Sequence, residues 1–329
     1  MTSAITEVSV EAERGGPTIV TWHVEGPPVA VEIAVGSNPE GVDHEHAATV
    51  EAGATSHSLG DLGAGRHFVS VGPRGSGPAV VAADRRIGFE GVSNFRDLGG
   101  YRTSGGGRTR WGRVYRADAL HGLSAEDLRL YDELGIRSVI DLRSEEERTE
   151  LPNPMDSIAL PMVFRRQGST ETILSAETQE EGEQVLARLY LGHLELGATR
   201  IGEILRAMAA SEGLPAVFHC HAGKDRTGMI AAVLLEALGV DRDTILDDYE
   251  LTARYRRRAH QDGTFRSLVE RGLPPEAAAG VLTAPRWAMA GALEALDSVH
   301  GGLEAYLLGP AGLTPSDLEA LRDRLVVPA

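Results

Sequence analysis

The chain of 329 residues carries a formal net charge of −16, which excludes nucleic acid as its main partner. Its 42% hydrophobic and 24% charged residues are typical of a soluble globular protein with a real core. One cysteine excludes an internal disulfide. No apolar run is long enough to span a membrane, and the N-terminus lacks the features of a signal peptide. We therefore expect a cytoplasmic protein, although export without a signal peptide would leave no trace here.

Short β-rich segments separated by Gly, Pro and Ser occupy residues 1–88. These segments lie at residues 18–22, 29–35, 67–71 and 79–83. Several short strands at such close spacing predict a small antiparallel β-sandwich domain, in which Trp22 belongs to the core. Nothing in its sequence indicates what this domain binds.

Residues 89–329 show a different pattern, in which predicted strands and helices alternate. The predicted helices lie at 124–135, 178–211 and 227–238, and the predicted strands at 136–142 and 214–219. Alternation of this kind predicts an α/β domain with a mostly parallel central sheet flanked by helices.

The only cysteine and the only lysine of the chain both lie in one loop, His219-Cys-His-Ala-Gly-Lys-Asp-Arg-Thr-Gly228, between an apolar strand and an apolar helix. Successive backbone N–H groups of such a loop form an anion-binding nest, and the helix directs its positive end at the same point. Arg226 adds a planar fork that can hold two phosphate oxygens. These features stabilise a thiolate at Cys220 and make it a nucleophile.

The other residues of this loop are predicted to bind the phosphate group and support the cysteine. The predicted phosphate-binding residues are His221, Ala222, Gly223, Lys224, Thr227 and Gly228. The hydroxyl of Thr227 could hydrogen-bond the cysteine thiolate as it leaves, and the glycines permit close backbone approach. His219 is interpreted as a structural hydrogen-bonding residue rather than a general base. We expect inorganic phosphate to bind in this loop, and the chemistry needs no metal or other cofactor.

The loop resembles the signature of the protein tyrosine phosphatase superfamily, and more narrowly the bacterial tyrosine and lipid phosphatases of the mycobacterial PtpB type. Residues 92–101, 112–118, 140–143 and 248–252 resemble other motifs of that family. The resemblance covers about residues 90–325, and it implies a phosphotyrosine-phosphatase-like fold. It also implies a phosphocysteine mechanism, in which Cys220 attacks phosphorus and water hydrolyses the product. The implied substrates are phosphotyrosine, with phosphoserine, phosphothreonine or phosphoinositides as further classes.

Lys224 has two interpretations that the sequence leaves open. A Gly-Lys pair inside the loop resembles lipid phosphatases that need an extra cation for a multiply phosphorylated headgroup. Alternatively, Lys224 forms a salt bridge with a nearby carboxylate at the rim of the loop.

The leaving group needs a proton, usually from an aspartate near the scissile oxygen. No aspartate occurs between Asp156 and Asp225, where familiar phosphatases of this superfamily carry theirs. Asp225 is therefore the predicted general acid. Asp141, at the end of the predicted strand 136–142, is the second choice, unless it pairs with an arginine, and Asp97 is the third.

Two other functions compete with phosphate ester hydrolysis. Rhodanese-like sulfur transfer also uses a cysteine in an anion-binding loop, but the run Arg226-Thr227-Gly228 disfavours it. A non-catalytic phosphate-binding module is disfavoured by the presence of both Cys220 and Arg226. Six arginines in residues 96–116 predict either a positive surface for anionic substrates or scattered loop residues paired with surface glutamates.

Overall fold

The computed structural model describes residues 3–12, 16–40, 42, 48–63, 65–75, 77–163, 175–210, 212–256 and 258–328, with the backbone alone for 258–262. The chain divides into two units, Met1–Gly88 and Phe89–Ala329. Each unit is described below by itself.

The regular secondary structure described in the first unit consists of strands. They are β1 (Ala4–Ala12), β2 (Thr18–Glu25), β3 (Val31–Gly36), β4 (Ala48–Val50), β5 (Ser56–Ser58), β6 (Phe68–Pro73) and β7 (Val80–Ala83). They form two sheets with the orders β1-β2-β5 and β4-β3-β6-β7, in which all neighbours are antiparallel. Alternate residues of β2 are buried, as expected for a strand with one face toward a core. Trp22 is one of them, which confirms its predicted place in the core.

A five-stranded sheet organises the second unit. Its strands are β8 (Arg96–Asp97), β10 (Val114–Ala117), β11 (Ser138–Asp141), β12 (Ile158–Ala159) and β13 (Ala216–His219), and a separate short pair joins β9 (Arg108–Thr109) to β14 (Val326–Val327). The order in the larger sheet is β12-β11-β13-β10-β8. All neighbours are parallel except β8 and β10. The predicted mixed α/β character of this part of the chain is confirmed.

Helices make up most of the remaining regular structure of the second unit. They are α1 (Ala125–Glu133), α2 (Glu145–Glu150), α3 (Gln179–Ala209), α4 (Asp225–Ala237), α5 (Arg242–Tyr255), α6 (Arg258–Glu270), α7 (Pro275–Leu282), α8 (Arg286–His300), α9 (Leu303–Leu308) and α10 (Pro315–Leu325). Capping boxes fix where several of them begin, including those at Ser124 and Thr178. Helix α4 is apolar on nearly every face because it lies in the centre of the hydrophobic core. None of the helices within the described residues has the length and hydropathy needed to cross a membrane.

Candidate active site

The predicted phosphate loop lies between β13 and α4, at the carboxyl end of the middle strand of the sheet. His219, the last residue of β13, pairs with Ala117 of β10 and Asp141 of β11. Ligands of open α/β sheets bind outside the carboxyl ends of the strands, where backbone groups are free to face them. The predicted strand and helix on either side of the loop are confirmed, with α4 beginning two residues earlier than expected.

Cys220 is 2% exposed and is the one free thiol in the chain. Thr227, in the first turn of α4, is fully buried, and its hydroxyl oxygen has no hydrogen-bond partner among the described residues. A buried hydroxyl without a hydrogen-bond partner is unfavourable, so its presence at this position needs a functional or structural reason. The Thr227 hydroxyl therefore has a donor that it could give to the Cys220 thiolate. That hydrogen bond stays a prediction.

Gly223 allows the loop to close against the neighbouring strand. Its φ is +64°, and a Cβ at this position would lie 2.7 Å from both the carbonyl oxygen of Ala117 and the amide nitrogen of Asp118. The carbonyl oxygen of Gly223 accepts hydrogen bonds from Asn94 Nδ2 and Arg116 Nη2, each at 3.0 Å. With its carbonyl held from behind, the loop is free to direct its N–H groups toward a ligand.

Arg116 belongs to a buried ionic cluster beneath the loop. Asp248 accepts from Arg116 Nη1 at 2.6 Å and from Arg96 Nε at 3.0 Å, and all three side chains are at most 1% exposed. Burial, followed by the charge of Arg96, lowers the pKa of Arg116 to about 10. The prediction that residues 96–116 form a positive surface is thus wrong for Arg96 and Arg116. Arg116 supports the loop from inside through its hydrogen bond to the carbonyl oxygen of Gly223, and Arg96 lies beside it on the same carboxylate.

Glu147 orients the guanidinium of Arg226. Glu147 Oε2 accepts from Arg226 Nη1 at 2.6 Å, and Oε1 accepts from Nη2 at 2.7 Å. A guanidinium has five N–H groups in a fixed plane, so this end-on pair leaves Nε–H and one Nη2–H side by side on the adjacent edge. Those two parallel donors match two oxygens of a phosphate group.

Sequence reasoning missed Glu147, whose one local signal, a capping box, indicates a helix start and not a partner for Arg226. Ser144 and Glu147 form a capping box at the start of α2, with Ser144 N donating to Glu147 Oε2 at 2.8 Å. Burial alone would raise the pKa of Glu147, but the hydrogen bonds and charge of Arg226 outweigh it and lower the pKa to about 2. The carboxylate therefore stays charged, and holds Arg226, throughout the usual assay range.

Asp225, the predicted general acid, is the first residue of α4, and its side chain is 24% exposed. Its Oδ1 accepts from the hydroxyl of Tyr190 at 2.6 Å, and it lies 3.2 Å from Lys224 Nζ. The hydroxyl of Tyr190 also forms a hydrogen bond with the hydroxyl of Tyr249, with 2.5 Å between the two oxygens. Burial would raise the pKa of Asp225, but the charge of Lys224 and the bond from Tyr190 together lower it. The sequence carried no sign of Tyr190, which is 35 residues away on α3.

The ammonium of Lys224 points away from solvent, and the residue is 2% exposed. Besides its contact with Asp225, Nζ donates to the carbonyl oxygens of Val281 and Thr283, both at 2.7 Å. An ammonium has three N–H donors, and these contacts use all of them. The salt-bridge interpretation accords with this geometry, and contact with a headgroup stays a prediction that would require one of the three bonds to exchange.

The other predicted acids lie behind the loop with their hydrogen bonds satisfied. Asp141 is 1% exposed and bonds to Arg143 and Asn153, with His219 Nε2 at 3.6 Å. His219 Nδ1 lies 3.2 Å from the carbonyl oxygen of Cys220, while Nε2 faces the Asn153 amide. Asp97 is fully buried and accepts from the backbone N–H groups of Gly99 and Gly112. Their roles as alternative acids stay predictions.

Two buried histidines should make stability depend on pH. Burial, the largest cause, lowers the pKa of both His193 and His219 to about 4, from an ordinary value of 6.5. Between these two values the unfolded chain binds protons that the folded protein does not, so stability is complete above pH 6.5 and falls as the pH drops toward 4. We expect each histidine to remove about 2 kcal/mol of unfolding free energy between pH 7 and pH 5.

Urea unfolding at pH 5, 6 and 7 measures this dependence. The carboxylates with lowered pKa values, such as Glu147, lose their contribution only at more acidic pH, so they do not interfere. His193→Gln should reduce the change in unfolding free energy between pH 7 and pH 5 by about the amount expected for one histidine. A free energy of unfolding that does not change between pH 7 and pH 5 would contradict the assignment of neutral buried imidazoles.

His, Cys, Asp and Glu side chains of the described residues form no cluster of three or more that could hold a metal ion. The arrangement at Cys220 instead combines a thiol, a helix N-terminus and an oriented guanidinium. Such a set can bind a tetrahedral oxyanion and attack its central atom. His44 and His46 have no third ligand at a useful spacing in the sequence, which disfavours a metal site there, and both lie outside the described residues.

Comparison with known proteins agrees with this chemistry. A sequence model of the tyrosine phosphatase family matches residues 87–327. A Cupriavidus necator protein named among the tyrosine-protein phosphatases is 29% identical over 251 residues, covering 72% of this chain and 88% of that protein. The triple specificity protein phosphatase PtpB of Mycobacterium tuberculosis is 28% identical over 277 residues, covering 72% and 97%. A tyrosine-protein phosphatase of Nostoc commune is 27% identical over 204 residues, covering 58% and 67%.

The match includes the whole phosphate loop and the strands and helices that hold it. It does not favour sulfur transfer or a non-catalytic binding module, the two alternatives considered from the sequence. It also confirms the resemblance drawn from the loop and its neighbouring motifs. The chain belongs to the tyrosine phosphatase family and is a phosphatase.

Proposed function

We propose that the protein hydrolyses phosphoric monoesters through a phosphocysteine at Cys220, with phosphotyrosine as a substrate. The observation that carries this proposal is the bidentate pair between Glu147 and Arg226, six residues after the only cysteine. This pair presents two parallel donors in the same loop as the nucleophile. Family membership supports the reaction class.

The proposed reaction has two steps. In the first, Cys220 Sγ forms a bond to phosphorus as the bond from phosphorus to the leaving oxygen breaks, and Asp225 gives that oxygen a proton. In the second, water attacks phosphorus, Asp225 takes the proton from the water, and the thiolate leaves. Arg226 and the N-terminus of α4 hold the equatorial oxygens in both steps. Inorganic phosphate, the product, is proposed to bind in the loop formed by residues 220–226.

Asp225 must be protonated to act in the first step, while Lys224 and Tyr190 favour its charged form. A phosphate ester in the loop adds negative charge beside Asp225, and a like charge raises the pKa of a carboxyl group. The proposal is therefore that substrate binding shifts Asp225 toward the acid form. Departure of the leaving group restores the carboxylate that the second step needs.

The proposal extends to the substrate range, the domain organisation and the location of the protein. One relative carries the name triple specificity phosphatase, which supports phosphoserine, phosphothreonine and phosphoinositides as further substrates. Residues 89–329 are proposed to form the phosphatase domain with a phosphotyrosine-phosphatase-like fold, and residues 1–88 a β-sandwich of unassigned role. A cytoplasmic location fits a catalytic thiol that must stay reduced.

Asp225→Asn should separate substrates by their leaving groups. We expect kcat to fall about 100-fold on an alkyl phosphate or phosphoserine peptide, which needs a proton for its leaving oxygen. On p-nitrophenyl phosphate, whose leaving group is a weak base, the loss should be much smaller. Steady-state kinetics on both substrates measure the difference.

Asp141→Asn is the matched comparison, checked for folding by circular dichroism because its carboxylate is buried against Arg143. Full activity of Asp225→Asn on the alkyl phosphate, with loss in folded Asp141→Asn, would transfer the acid role to Asp141.

A further inference from the structure

Arg256 is a buried cation for which the described residues provide no counter-ion. It follows the last residue of α5, is 8% exposed, and only its backbone N–H makes a hydrogen bond, to the carbonyl oxygen of Thr252. No hydrogen bond or ion pair joins its guanidinium to any described residue. A buried charge without a partner is costly, and such arginines are normally paired. Among the described residues, the guanidinium therefore keeps its donors for another group.

Arg256 lines a cavity beside the phosphate loop. The cavity has a volume of ≈ 350 Å³, and Lys224, Arg256, Phe265, Leu282 and Thr283 are among its lining residues. Arg256 also lies close enough to the loop for its charge to contribute to the lowered pKa values of Lys224 and His221, after the larger effect of burial. The cavity is thus continuous with the loop through Lys224.

The other cations of this region already have partners. Lys224 donates to Asp225 and to two backbone carbonyls, and Arg226 is paired with Glu147. Arg256 is therefore the cation that remains for an additional anion, within the part of the chain that the structure describes. Its planar fork suits phosphate or carboxylate oxygens.

We propose that Arg256 and this cavity bind a second phosphate group, carried by a compact polyol headgroup whose first phosphate occupies the loop at residues 220–226. This inference rests on the proposed function, since it takes the loop as the place of the scissile phosphate. It assigns the second phosphate to Arg256. Lys224 instead holds the carboxyl end of α7, through Val281 and Thr283, and the side chain of Asp225.

The size and lining of the cavity favour a headgroup over a peptide. Pockets for small molecules measure about 300–1,000 Å³, so this one has room for a single substituted ring. Peptides are usually bound along sheet edges or in long grooves, which offer more room than a volume of ≈ 350 Å³. Its apolar residues, such as Phe265 and Leu282, can cover the carbon face of a ring while Arg256 binds the charged substituent.

Binding to the Cys220→Ser protein tests the subsite without relying on turnover. Calorimetry would compare myo-inositol monophosphate, myo-inositol bisphosphate and inorganic phosphate, with and without Arg256→Gln. We expect Arg256→Gln to weaken the bisphosphate by about 10- to 100-fold, as for loss of a charge-assisted hydrogen bond, and to leave inorganic phosphate nearly unchanged. Arg256→Lys should restore part of the affinity. Arg254→Gln, on the exposed end of the same helix, is the control and should change nothing.

Kinetics of the otherwise wild-type protein provide the second comparison. Arg256→Gln should lower kcat/KM for a soluble bisphosphate headgroup and for the same headgroup on a lipid in phosphatidylcholine vesicles. It should spare p-nitrophenyl phosphate. A loss confined to vesicles would assign Arg256 to the membrane surface and overturn the subsite.

Three further results would also overturn the subsite. One is equal loss on every ligand, which would make Arg256 part of the loop's own support. Another is an unchanged affinity for the bisphosphate. The third is a loss seen only with doubly phosphorylated peptides. Failure of the proposed function would look different, because wild-type protein would then hydrolyse no phosphomonoester while the binding measurements still reported on Arg256.

Discussion

Arg226→Lys is expected to lower kcat/KM on phosphomonoesters about 1,000-fold, the size of effect seen when a charge-stabilising donor of this kind is lost. Lysine keeps the positive charge but replaces a planar fork by a single ammonium. It cannot pair with both oxygens of Glu147 and still present two parallel donors to phosphate. Steady-state kinetics on p-nitrophenyl phosphate and a phosphotyrosine peptide measure the loss.

Arg242→Lys is the matched control, because Arg242 also pairs with both oxygens of a carboxylate, that of Asp297, and does so at the end of α4 opposite to the loop. Its substitution should leave kcat/KM unchanged. Glu147→Gln should lie between the two, since an amide can accept only one of the bonds from Arg226. Activity of Arg226→Lys within a few-fold of the wild type would show that bidentate phosphate recognition is not used.

Asp248→Asn should lower the free energy of unfolding by about 3–5 kcal/mol, because it leaves Arg96 and Arg116 buried without a counter-ion. The same change removes the ion pair that positions Arg116, and Arg116 donates the hydrogen bond that holds the carbonyl oxygen of Gly223 in the loop. We therefore expect activity to fall along with stability. Urea unfolding and phosphatase kinetics on the same preparation measure both effects.

Asp247→Asn, one residue earlier, is the control: it removes the same charge from α5, but at an exposed position instead of a buried one. The Asp247 side chain is 71% exposed and pairs with Arg286 at the surface of α5. Exposed pairs contribute about 0–1 kcal/mol, so this variant should unfold at nearly the wild-type urea concentration. Equal stability of the two variants would contradict the description of a buried cluster that the fold depends on.

The parts of the fold that depend on residues close together in the chain were predictable. Ser124 and Thr178 lie three residues before acidic residues that complete capping boxes, and the helices begin there as expected. The strand before Cys220 and the helix after it were predicted from their local runs of apolar residues. The phosphate loop itself could be identified from a single segment of ten residues, 219–228.

The partners of the loop could not be predicted, because they come from distant parts of the chain. Asn94 is 129 positions from Gly223, and Glu147 is 79 positions from Arg226. A capping box explains Glu147 fully without any reference to Arg226, so its second role was hidden. The uniqueness of Lys224 likewise indicated a role but could not show that its ammonium faces Val281 and Thr283.

The arginines show the same limit in another form. The clustering of six arginines along residues 96–116 favoured a charged surface, because arginine is rarely buried without a partner. Asp248 supplies that partner for Arg96 and Arg116, but it lies 152 and 132 positions away. Only the folded chain shows that these two side chains lie beneath the loop.

Trapping the covalent intermediate tests the central claim most directly. The protein would be mixed with p-nitrophenyl phosphate, denatured rapidly and digested, and its peptides analysed by mass spectrometry. Because Cys220 is the only cysteine, one phosphoryl group on sulfur identifies the residue without ambiguity. We expect that group on the peptide containing Cys220 and nowhere in Cys220→Ser, which should also lose turnover. A phosphoryl group on a histidine or aspartate, or turnover by Cys220→Ser, would contradict the mechanism.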